Sequence, residues 1–172
     1  MNNMLGVHKA VGGTGPGRRY ATAQVNNAYV VLLSSEFQKY CRDLHSQAAD
    51  HIAKQAPSKI RAVVLARFTE GRKLDGGNPN PGNLGSDFGR FGLRLWEELE
   101  RRNSWNKGHK KALEHLMLWR NAIGHHDFPS DRFGNRTSVL LKEVRDWRSA
   151  CNHLATESDM DCAGSSTNNC VA

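Results

Sequence analysis

The chain has 172 residues, of which 38% are hydrophobic and 8% aromatic, enough for one modest core but not for two. Its 24 Lys and Arg against 17 Asp and Glu give a net charge of +7, a surplus that draws polyanions but says nothing about fold. A mean hydropathy of −0.62, with no apolar run of spanning length and no visible secretion signal, excludes a membrane-embedded chain and makes the cytoplasm the expected location.

Four cysteines, Cys41, Cys151, Cys162 and Cys170, lie far apart with no C-x-x-C pair, so neither a zinc knuckle nor a thioredoxin-like site is indicated. Residues 1–20 contain "GGTGPGRR". The Gly12 to Gly17 spacing is that of a phosphate loop, but Arg18 and Arg19 stand where Lys and Ser or Thr are needed, and no apolar strand precedes them. A flexible N-terminal arm is expected.

From Ala21 to Gln55 the residues Leu32, Glu36, Tyr40, Leu44, Ala48 and Ile52 recur every four positions, flanked by Leu33, Phe37 and Cys41. This predicts one long helix with Glu36 at the edge of its apolar stripe, ended by Pro57. A second helix is expected over 58–70, capped by Ser58 and facing inward with Ile60, Val63, Val64 and Phe68. "GRKLDGGNPNPGNLGSD" then reads as a long loop, of a length that favours a functional or mobile segment.

Ser86 or Asp87 is the expected cap of a third helix presenting Phe88, Phe91, Leu95 and Leu99. The fourth starts after Asn106 and builds its core face from Leu113, Leu116 and Met117, with Gly124 as terminator. Thr137 or Ser138 opens the last helix, whose inward positions are Val139, Leu140, Val144, Trp147, Cys151 and Leu154. Beyond 157 the chain is polar and aperiodic, so a disordered tail over 158–172 is expected. With no alternating strand pattern, the fold class is all-α: a bundle of about five helices over 21–157.

Chemistry concentrates in "WRNAIGHHDF", residues 119–128. On one continuous helix Arg120 and His125 stand about 140° apart, which is awkward for a shared site. A helix end at Gly124, or a second copy across a two-fold axis, relieves that. The same residues also fit a plain cationic helix terminus that offsets the carbonyl end.

"R-N-A-I-G-H" resembles the R-x4-6-H motif of the HEPN superfamily, including the polar residue that often follows the arginine. The resemblance extends to the position of the motif near the end of the penultimate long helix. It implies a helical bundle, often a two-fold homodimer with the motif at its interface. It also implies a metal-independent endoribonuclease of a toxin–antitoxin or phage-defence system, with RNA and an antitoxin or regulatory protein as partners and no cofactor.

By the resemblance His125 is general acid or base, Arg120 clamps the phosphate, and Asn121 orients the phosphate or the histidine, with His126 and Asp127 as possible accessories. The chemistry suits these residue types. RNA supplies its own nucleophile, imidazoles exchange protons near neutral pH, and a guanidinium holds phosphate oxygens as charge builds on them. The implied product is a 2′,3′-cyclic phosphate. Some HEPN toxins carry, two residues after the histidine, a tyrosine that a partner enzyme modifies with AMP; here that position is Asp127, so restraint by that route is not expected.

Lys107, Lys110 and Lys111 at the start of the motif helix and Arg132 beyond it are candidate RNA contacts. Arg101, Arg102 and Arg136 lie nearby, and Trp105 is placed either to stack on a base or to pack under its loop. Cations at a helix start oppose its dipole, so stability is not their evident purpose. The alternative function is a non-catalytic HEPN-like module binding RNA, a nucleotide or a protein. No metal site is expected, since adjacent histidines do not readily chelate one ion.

Overall fold

The computed structural model describes residues 2–11 and 18–164. Among these there is no strand. The helices are α1 (Asn2–Val11), α2 (Arg18–Gln55), α3 (Arg61–Thr69), α4 (Lys73–Gly76), α5 (Pro81–Phe88), α6 (Leu95–Arg102), α7 (Asn106–His125), α8 (Ser130–Phe133) and α9 (Leu141–Gly164). The all-helical class stands, with short helices added to the long ones read from periodicity.

Helices α2, α7 and α9 pack pairwise and form the body of the domain. Their shared core holds Tyr29, Leu33 and Phe37 from α2, Leu113, Leu116 and Met117 from α7, and Val144, Trp147 and Leu154 from α9, all buried. The stripe on α2 is turned from the one expected: Leu33, Phe37, Cys41 and Leu44 are buried, Leu32 and Tyr40 are half-buried, and Glu36 is exposed. Glu36 is thus a solvated edge acid.

Several sequence expectations are corrected. Residues 2–11 are helical and pack on α2, with Met4 against the core, where a flexible arm was expected; the glycine-rich 12–17 segment lies outside the described residues. Helix α9 runs to Gly164, past the expected end at 157, and 165–172 also lie outside. The 58–70 segment is a 3-10 turn, Ser58–Ile60, followed by α3, without a side-chain cap from Ser58. No α3 residue is buried, and Ile60 and Val63 are 49% and 69% exposed, so its apolar positions do not build the core. Leu140 is likewise 60% exposed. The start of α9 is satisfied by Glu143, which accepts from Leu140 N at 2.8 Å, rather than by Thr137 or Ser138.

The expected third helix is two helices. After Phe88 the chain makes a 3-10 turn, and Gly92 takes φ +76, a left-handed conformation open to glycine at no steric cost. Upstream, the 71–86 segment is mostly helical instead of a loop. Asn80 caps α5 by accepting from Asn83 N at 2.8 Å, with Pro81 in the first turn. Asp87 caps a different helix from the one expected. Fully buried, its carboxylate accepts from Lys73 N at 2.9 Å and Leu74 N at 2.8 Å, at the start of α4. Four-residue α4 is therefore held from a distance, by Asp87 and by its buried Leu74.

Buried His45 completes this corner. Its Nε2 lies 3.1 Å from the Asp87 carbonyl oxygen, and its ring packs against Phe91 and Phe88. A carbonyl only accepts, so Nε2 carries the proton. Burial, before any charge effect, holds the imidazole below its ordinary pKa.

A candidate phosphodiester cleft

Helix α7 does not stop at Gly124. His126 takes the left-handed position, φ 51, and its N–H donates to Ile123 O while that of Asp127 donates to Ala122 O. Arg120 and His125 therefore ride one continuous helix with the unfavourable separation of about 140°, while Asn121 and His125 are only about 40° apart. The long arginine side chain narrows the gap: Arg120 Nη1 donates to Asn121 Oδ1 at 3.3 Å, which draws the guanidinium round toward the His125 side.

Arg120, Asn121 and His125 line one open, mainly polar cleft of about 370 Å³. The opposite wall is Gln38 from α2 together with Asp75, Gly76, Gly77 and Asn78 from α4 and the turn after it. Its placement is over-determined. Gln38 Nε2 donates to the carbonyl oxygens of Leu74 at 2.7 Å and Gly77 at 2.8 Å. Asn83 Nδ2 donates to Asn78 O at 2.7 Å. Gly77 is needed for close approach, because a Cβ there would stand 2.8 Å from Asn83 Nδ2 and 2.9 Å from the Lys73 carbonyl oxygen.

Asn78 Nδ2 donates to Asn121 Oδ1, tying the two walls together. The Asp75 carboxylate is paired by a bidentate contact with Arg72 (3.0 and 3.1 Å) and by Arg42 at 3.5 Å, which offsets its negative charge at the cleft wall. Arg120 is half-buried, and Asn121 and His125 are exposed. The cleft thus offers a guanidinium, an imidazole and several amides to an anionic, hydrogen-bonding ligand.

The other candidates lie elsewhere. His126 and Asp127 are exposed at the helix terminus and do not line the cleft. Lys107, Lys110 and Lys111 sit at the far end of α7, with Lys107 about 27 Å from His125 along the axis. Lys110 is half-buried, 3.8 Å from Glu100 and over the Trp96 ring. Trp105 is 77% exposed rather than packed under its loop. Arg132 is exposed on α8. Arg136 is held by Glu143 at 2.6 and 3.0 Å and lies over Trp119; that bond keeps the Glu143 carboxyl below its usual range. Among the described residues no group of three or more His, Cys, Asp or Glu is arranged to hold a metal ion, and no helix is long and apolar enough to cross a membrane.

Sequence reasoning missed Gln38, Asp75 and Asn78. The available signal was the length and Asn-Pro richness of the 71–86 segment, which flags function without naming the residues.

Comparison with curated proteins finds no match, and comparison with solved structures finds none either. A family model described as RiboL-PSP-HEPN matches residues 16–159, taking in the motif helix and the opposite wall of the cleft. The chain belongs to the RiboL-PSP-HEPN family.

Proposed function

We propose that the protein is an endoribonuclease that cuts RNA at the Arg120–His125 cleft without needing a metal. Membership of the HEPN superfamily points to an RNA-related nuclease or nucleotide-binding module. The single observation that carries the finer reading is that Arg120, Asn121 and His125 line one cleft although the helix alone sets Arg120 far from His125.

In the proposed reaction the RNA backbone lies in the cleft with one phosphate against the Arg120 guanidinium. His125 takes the proton from the 2′-hydroxyl, the O2′–P bond forms, and the P–O5′ bond breaks. Arg120 stabilises the charge that builds on the non-bridging oxygens. The leaving 5′-oxygen takes its proton from water or from the His125 of a second copy, leaving a 2′,3′-cyclic phosphate and a 5′-hydroxyl. The proposed steps need no Lewis acid, because His125 moves the proton of the 2′-hydroxyl and Arg120 stabilises the phosphoryl charge.

A two-fold homodimer and service as a toxin or phage-defence effector restrained by an antitoxin belong to the same proposal and rest on the family alone; the proposed cytoplasmic setting rests on the sequence, which shows no secretion signal and no apolar run of spanning length. Exposed Lys107, Lys111 and Arg132 are proposed to steer RNA rather than to act at the scissile bond.

The test is incubation of single-stranded RNA with the wild type and with Arg120→Ala and His125→Ala in EDTA, with helical circular dichroism as the control for folding. Cleavage by the wild type alone is expected. Equal cleavage by all three refutes the assignment. Salt-sensitive binding with intact RNA would instead make the protein a binding module.

A further inference from the structure

We propose that Asn78, outside the motif, is a positioning residue of the cleft: it holds the Asn121 amide so that Arg120 reaches round the helix to the His125 side. This rests on the reading of the cleft as the reaction site. Asn121 Oδ1 accepts twice, from Arg120 Nη1 and from Asn78 Nδ2, which fills both lone pairs of one carbonyl oxygen. A guanidinium has no acceptor, so the Asn121 oxygen must face Arg120, and Asn78 must then present its NH2. The orientation of both amides follows from the arginine.

Asn78 is suited to the task because its own backbone is fixed. Its carbonyl accepts from Asn83 Nδ2, and the preceding Gly77 carbonyl accepts from Gln38 on α2. Asn121, by contrast, is an exposed residue near the end of α7, and without Asn78 its χ angles are free to turn the oxygen away. The guanidinium then loses the bond that bends it across about 100° of helix surface toward the His125 side. The effect assigned to Asn78 here runs through Asn121 to Arg120.

The experiment is a double-mutant cycle of Asn78→Ala and Asn121→Ala, read by single-turnover RNA cleavage and by the Arg120 side-chain NMR signals of the intact chain. Asn78→Ala is expected to slow cleavage about tenfold, the scale of a modest misplacement of a reacting group, and to shift the Arg120 signals. In the Asn121→Ala background it should change neither, since the route it acts through is gone. Equal slowing in both backgrounds would mean that Asn78 merely supports the fold and would overturn the proposal, as would unchanged cleavage in Asn78→Ala. If the wild type cuts no RNA, the nuclease reading falls, and the Arg120 signals decide this proposal alone: a shift seen only when Asn121 is present upholds the relay, and no shift removes it.

Discussion

Replacing Asp87 with alanine removes a fully buried carboxylate that accepts from the backbone N–H groups of Lys73 and Leu74, at 2.9 and 2.8 Å. Hydrogen bonds to a charged group contribute about 1.5–3 kcal/mol each, and relief of the buried charge offsets part of the loss, so a net cost of about 3 kcal/mol is expected. For a domain of this size that corresponds to a fall in Tm of roughly 6–12 °C. Asn at the same position keeps one acceptor oxygen and should fall between, at about 1–2 kcal/mol. Urea and thermal unfolding followed by circular dichroism measure both variants. Because α4 carries one wall of the cleft, RNA cleavage by Asp87→Ala should also drop at temperatures where the domain remains folded. A Tm within 2 °C of wild type, well short of the roughly 6 °C minimum fall expected, would refute the view that Asp87 holds α4 in place.

Two glycines are expected to respond in opposite senses. Gly77→Ala forces a Cβ against Asn83 Nδ2 and the Lys73 carbonyl oxygen and should cost about 1–3 kcal/mol. Gly124 lies inside α7 with nothing within 4 Å of a Cβ, so Gly124→Ala should stabilise by about 0.5–1 kcal/mol; a loss would show that Gly124 ends the helix after all. Acid should act through His45, whose pKa burial lowers in the folded state. The unfolded chain then binds the extra proton first, so the stability owed to neutral His45 is complete above the unfolded imidazole pKa and is lost as pH falls through it toward the folded value. The slope of Tm between pH 7 and pH 5 should flatten in His45→Gln, which keeps a donor toward the Asp87 carbonyl; an unchanged slope would contradict this.

What the sequence reveals is what local periodicity encodes. The runs through Leu33 and Phe37, Leu113 and Leu116, and Val144 and Trp147 mark the three long helices, and these residues are buried in the core, although the α2 stripe is turned from the expected one and Leu140 is exposed. Arg120, Asn121 and His125 are visible because they fall within one short motif. The misses have a common cause, since each depends on a partner distant in the chain. Helix α4 is too short to stand by its own propensity and exists because Asp87, thirteen and fourteen residues on, caps it. Val63 has helical spacing and an apolar side chain yet stays 69% exposed, because α3 flanks α2 without being covered on its other side. Asn78 reads as loop polarity until Asn121, forty-three residues later, is seen to bond with it.

In the proposed reaction the guanidinium and imidazole of this cleft drive attack by RNA's own hydroxyl. Its most direct test is cleavage, in EDTA, of an oligoribonucleotide and of a twin carrying one 2′-deoxy nucleotide at the cut position. A 2′,3′-cyclic phosphate end is expected from the first and no cut at that bond in the second. Cleavage at the deoxy position, or a strict requirement for a divalent cation, would contradict it.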